Sequence, residues 1–140
     1  MSAPRIINGI IFSDLGQAAK FMALDWVRQA LAESLGFAPF PATLNVHPAN
    51  PGDALAWHSI QNDASFFSRM PPHEGCCLAR IYRIEVKSGA AGSSRRTPAA
   101  VLFPEVIDYP KDKIEIVAPM RLKDAFGVKD GDRLTLEFIH

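Results

Sequence analysis

Residues 113–139, KIEIVAPMRLKDAFGVKDGDRLTLEFI, read as a strand, a short helix, a tight turn and a last strand. KIEIV alternates apolar and polar side chains with the period of two that a pleated strand imposes. The helix ends near Gly127, since glycine lacks the Cβ that penalises the left-handed backbone of a helix stop. Asp130-Gly131 is a tight-turn signal, after which RLTLEFI resumes the alternation.

Similar runs lie upstream. RIINGIIF (5–12), TLNV (43–46), CLARIYRIEV (77–86) and AAVLF (99–103) all read as strands. KSGAAGSSRRT, small and polar, reads as a mobile loop that carries Arg95 and Arg96. One longer helix is expected after the first strand. Asp14 is a candidate N-cap with Gln17 three residues on, Leu24, Val27, Leu31 and Leu35 form an apolar stripe, and Gly36 is the stop, about five turns in all. Pro39, Pro41, Pro48 and Pro51 argue against a helix in the turn-rich middle. Several short strands with few helices favour a closed or nearly closed barrel, because a parallel α/β sheet needs a helix between most strands. The fold class is therefore mainly β, with one longer and one short helix.

At 140 residues the chain fits one domain, 1–140, with a core of its own. Hydrophobic residues make up 48% and charged residues 21%, and 15 Lys plus Arg balance 15 Asp plus Glu, so no net charge points to nucleic acid or an anionic membrane. The N-terminal run has no signal-peptide pattern, no run reaches the length of a membrane span, and a cytoplasmic location is expected. Cys76 and Cys77 are adjacent, lack metal-site spacing and read as buried thiols. His47, His58, His73 and His140 show no metal-ligand spacing. Oligomeric state is not encoded in any of these features.

The candidate chemistry sits at two places. SDLGQAAKF (13–21) is a strand-to-helix junction, where unpaired N–H groups and the helix dipole favour an anion. In PATLNVHP, strand alternation puts Thr43 and Asn45 on one face and Leu44 on the other. Two neutral oxygens are a poor cage for a bare divalent ion but can complete a Mg²⁺ shell supplied mainly by phosphates and water. Without further context, turn or edge positions for Thr43 and Asn45 and an exposed strand position for Glu115 are the favoured readings, while Asp14 suits an N-cap and Lys20 a solvated helix face as well as nucleotide contact. Trp26 fits helix packing, and the role of Trp57 stays open between core and a flavin-flanking ring.

Three blocks in order, the junction at SDLGQAAKF, LGFAPFPATLNV and EIVAPMRLKDAFGVKDGDRLTLEFI, resemble the archaeal CTP-dependent riboflavin kinase family. The resemblance implies a compact six-stranded β-barrel that transfers the γ-phosphoryl group of CTP to riboflavin, giving FMN and CDP. It implies Mg²⁺ at Thr43 and Asn45, and a nucleotide held by Asp14, Leu15, Gly16, Gln17, Ala18, Ala19 and Lys20 with Met120, Arg121, Leu122 and Lys123. Glu115 matches the family's flavin-binding glutamate and would orient the acceptor hydroxyl. A second flavin contact, a threonine in the family, becomes Asp108 or Ile107 here. Aligned on Gly16, the glycine-rich loop of the family loses its first and third glycines, to Asp14 and Ala18. Two alternatives therefore stand beside the kinase: a non-catalytic flavin- or nucleotide-binding barrel, and a kinase for another small alcohol.

Overall fold

The computed structural model describes residues 5–13, 22–70, 79–88 and 95–140. Its strands are β1 (Arg5–Phe12), β2 (Leu44–Pro48), β3 (Phe67–Met70), β4 (Ala79–Ser88), β5 (Arg96–Pro104), β6 (Ile114–Val117) and β7 (Arg133–Phe138). The helices are α1 (Asp25–Leu35), α2 (Pro51–Gln61) and α3 (Leu122–Phe126), with a single 3-10 turn at Ala64–Phe66.

Six strands close in the order β4-β5-β6-β2-β1-β7, and β7 returns to β4 through pairs from Ile84↔Phe138 to Ser88↔Leu134. All the pairings are antiparallel. The barrel expected from the resemblance is thus present. β3 lies outside the ring, using the part of the β4 edge, Ala79 to Tyr82, that β7 leaves open. A ring this small is filled by its own side chains. Ile7, Ile11, Val46, Ile84, Val86, Val101, Ile116, Leu134, Leu136 and Phe138 form that core.

Alternation separates two cores. Val101 and Ile116 point inward, whereas Ala100, Leu102 and Val117 point outward beneath Val27, Leu31 and Leu35 of α1. Gly36 and Gly127 end α1 and α3 at φ 80° and 64°, as the sequence predicts.

The structure differs from expectation in three ways, two in helices and one in a loop. First, α1 starts at Asp25, and Leu24 is an extended N-cap residue rather than part of a continuous helix from Asp14. The break has a packing reason. Five residues of unbroken helix would place Met22 about 140° away from Val27, yet Met22 is fully buried in the same cluster as Val27, Leu31 and Leu35. Second, α2 is a second eleven-residue helix where turns were expected. Pro51 occupies its first turn, where the missing N–H costs nothing, and the Asn50 side chain accepts from Asp53 N at 2.8 Å. Third, the expected mobile loop is shorter than KSGAAGSSRRT. Lys87 and Ser88 belong to β4, and Arg96 opens β5 and reaches Glu85 at 3.0 Å. Residues 14–21, with the N-cap assigned to Asp14, and Cys76 and Cys77 lie outside the described residues.

Trp57 belongs to the core. Its ring lies 5.3 Å from Tyr82 and 5.6 Å from Phe138, and its Nε1 donates to the Lys111 carbonyl at 2.7 Å. Trp26 packs against the second core, the role assigned to it.

Candidate active site

Antiparallel pairing brings the two specific sequence blocks together. β2 lies against β6 with Asn45 opposite Glu115 and Leu44 opposite Ile116. Leu44 and Val46 enter the core, so Asn45 is turned to the outer side of the wall, where Phe12 of β1 is its other neighbour. Within β2 the alternation read from TLNV therefore holds for Leu44, Asn45 and Val46.

Among the described residues no group donates to the buried Asn45 Oδ1, a state that Asp53 Oδ2 on α2 shares. Leaving a buried acceptor unsatisfied costs roughly 1–3 kcal/mol, so such an atom calls for an explanation. Across the strand pair, the Glu115 carboxylate is buried but ion-paired with Lys113 Nζ at 3.2 Å, and that ammonium also lies 5.7 Å from the Tyr109 ring centroid. The pair fixes where the carboxylate sits without using all of its acceptor capacity.

Next to this strand pair is a cavity of about 160 Å³. Thr43 and Phe40 line it on the β2 side, and Met120, Arg121, Leu122 and Lys123 line it after β6. The two walls are joined where Phe40 N donates to the Ala118 carbonyl at 2.8 Å. Leu122 is buried in the core and anchors the segment, while Arg121 and Lys123 carry positive charge at the rim. Arg121 pairs with Asp124 at 2.7 Å and Lys123 with Asp130 at 2.9 Å. The Ser13 hydroxyl, and next Lys123, hold the Asp130 carboxyl below the usual carboxylate range.

Asn45 thus meets Glu115 across the strand pair, while Thr43 lines the adjoining cavity with Met120–Lys123 and the core residues Leu44 and Ile116. Asp14, Leu15, Gly16, Gln17, Ala18, Ala19 and Lys20 lie outside the described residues. Asp108 and Ile107 occupy an exposed turn, and among the described residues no hydrogen bond or ion pair ties Asp108 to Glu115. That turn belongs to a segment fastened to α2 by Trp57 and Gln61 on the Lys111 carbonyl and by His58 on Asp112 at 2.8 Å. Arg95 donates to the Ala125 carbonyl on the last turn of α3 at 2.5 Å. Among the described residues no three His, Cys, Asp or Glu side chains converge as a metal site. No helix among them is long and apolar enough to cross a membrane.

Sequence reading missed Lys113 and Asp130 as parts of this region. Lys113 had a signal, being two residues from Glu115 on the same strand face. Asp130 read only as a turn residue.

A closed antiparallel barrel with a half-polar cavity on its wall defines a class of small ligand-binding β-barrels. Within that class, the chain belongs to the CTP-dependent riboflavin kinase family, whose model, described as domain of unknown function DUF120, matches residues 11–138. The chain is 31% identical to a riboflavin kinase of Methanocella arvoryzae over 134 residues, 94% of this chain and 57% of that protein. A riboflavin kinase of Saccharolobus solfataricus is 32% identical over 131 residues, covering 94% of this chain and 72% of the relative. One from Pyrobaculum calidifontis is 33% identical over 133 residues, with 92% and 58% covered. This chain thus spans little more than half the length of two of these three relatives.

Proposed function

We propose that this barrel, read as one domain over residues 1–140, is a phosphotransferase that moves the γ-phosphoryl group of CTP to riboflavin, giving FMN and CDP. The observation that carries the reading is the meeting of Thr43, Asn45, Glu115 and Met120–Lys123 at one strand pair and its adjoining cavity. Family membership supports it.

The residues fit a magnesium ion. Among the described residues Asn45 Oδ1 is an orphaned acceptor, and Thr43, two residues before it, lines the adjoining cavity. Thr43 and Asn45 would hold Mg²⁺ together with nucleotide phosphates and water, as suits a cation that keeps much of its own shell. When bound, Mg²⁺ supplies charge neutralisation at the β- and γ-phosphates.

The chain's own groups do the rest. Met120–Lys123 receive the nucleoside, and residues 14–20 surround the phosphates. Glu115 accepts a hydrogen bond from the ribityl 5′-hydroxyl and orients it. The hydroxyl oxygen forms a bond to the γ-phosphorus, the bond from that phosphorus to the β,γ-bridging oxygen breaks, CDP leaves with the electron pair, and the hydroxyl proton passes to Glu115. Phosphoryl transfer depends mainly on positioning and charge stabilisation, which is why no catalytic triad is needed.

The test is chromatographic detection of FMN and CDP after incubating the chain with riboflavin, Mg²⁺ and either CTP or ATP. CTP-dependent FMN and CDP are expected. The replaced glycines at Asp14 and Ala18 favour one second reading, a binding-only barrel. Folded protein that binds CDP or riboflavin without forming FMN would select it.

A further inference from the structure

We propose that Asp130 is a positioning residue for the nucleotide: its two carboxylate oxygens tie the strand end that leads into residues 14–20 to the helix that borders the nucleoside cavity. The inference rests on reading that cavity as a cytidine nucleotide site.

Ser13 Oγ donates to Asp130 Oδ2 at 2.5 Å, and Lys123 Nζ donates to Oδ1 at 2.9 Å. Ser13 follows β1 directly and is the last described residue before residues 14–20. Lys123 belongs to α3 and lines the cavity. Each oxygen of one carboxylate therefore holds a different element, the end of β1 or α3.

The turn that carries Asp130 is itself pinned to β1. Gly131 N donates to the Ile11 carbonyl at 2.8 Å, and Ile11 N donates to the Asp132 carbonyl at 2.9 Å. Lys129 N closes the turn on Asp132 Oδ2 at 2.9 Å. Gly131 has φ 91°, a left-handed value that side chains oppose. On the other side, buried Leu122 anchors α3 next to Lys123. Two rigid supports are thus joined through one carboxylate.

The pair is too exposed to matter much for stability, with the Asp130 side chain 49% accessible and that of Lys123 27%. Its effect is on placement. A lysine ordered before the nucleotide arrives has less rotamer freedom to lose on binding. One effect opposes this: a carboxylate near phosphates repels them, and removing it would free the Lys123 ammonium. The experiment separates the two.

Asp130→Asn keeps the size of the side chain and an acceptor for Ser13 but turns an N–H₂ toward the Lys123 ammonium, donor against donor. Ser13→Ala removes only the strand-end contact. In steady-state assays the KM for CTP should rise about tenfold in Asp130→Asn, and less in Ser13→Ala, while the KM for riboflavin stays within about twofold. Calorimetric CDP affinity should fall in parallel, and Ser13→Ala should add nothing in an Asp130→Ala background, because both contacts pass through one carboxylate. Unchanged or tighter CDP binding by Asp130→Asn would overturn the proposal. So would equal rises in both KM values accompanied by a lower melting temperature, the mark of a merely structural role. A wild-type chain that binds no cytidine nucleotide would remove the reading on which the inference rests, whereas normal wild-type binding with an unaltered Asp130→Asn variant removes the inference alone.

Discussion

Gln61 on α2 donates its side-chain amide to the Lys111 carbonyl at 3.1 Å, whereas Asn45 on β2 keeps its Oδ1 out of solvent with no donor among the described residues. Gln61 sits in a connected set. Its backbone carbonyl receives Arg80 Nη1 at 2.7 Å and the Tyr82 hydroxyl at 3.3 Å, and Trp57 shares the Lys111 carbonyl. Burying an amide is tolerable when it is paired and costly when it is not. The α2 side has the character of scaffold: most of its polar atoms hold loop to helix, although Asp53 Oδ2 in its first turn is also buried without a donor among the described residues. The β2–β6 side retains its unused acceptor on the strand that Thr43 leads into, and Thr43 lines the cavity with Met120–Lys123.

The largest effect should come from Trp57→Ala, which empties the centre of the aromatic core and should cost about 3–5 kcal/mol in denaturant unfolding. A large rise in the riboflavin KM with stability intact would instead put Trp57 in the site and erase the contrast. Asn45→Ala should do the reverse, lowering phosphoryl transfer about 10²-fold or more while leaving the unfolding midpoint nearly unchanged. Gln61→Leu should cost about 1 kcal/mol of stability and leave turnover alone, since only one hydrogen bond is lost.

The smallest effect concerns pH and the scaffold side. Glu105 receives Arg69 at 2.8 Å and Arg80 at 3.0 Å, and these guanidinium groups hold its carboxyl below the ordinary value of 4.5. Its stabilising contribution is complete above the unfolded-state value and is lost as the pH falls through the lower folded-state one. Glu105→Gln should therefore flatten the acid limb of the stability curve slightly, measured as melting temperature between about pH 5 and pH 2.

Much of the barrel was legible because alternation is a local signal. β1 was read with its observed bounds, and the same rule put Asn45 on the face opposite the core residue Leu44. Pro51 misled because proline breaks a helix interior yet suits a first turn, and the Asn50 cap just before it was the signal that distinguishes the two. β3 was not legible at all. FSRM forms a strand only because β7 leaves part of the β4 edge unpaired, a tertiary circumstance. The unmet acceptor of Asn45 depends on three strands meeting, and the Ser13–Asp130 contact spans 117 residues, so neither leaves a trace in local pattern.

The most direct measurement is calorimetric binding of CDP to the wild-type chain and to Asn45→Ala, each with and without Mg²⁺. If Asn45 Oδ1 is reserved for the metal that accompanies the nucleotide, Mg²⁺ will tighten CDP binding to the wild type and have little effect on the variant. An equal Mg²⁺ effect on both proteins would contradict the account and return Asn45 to the scaffold.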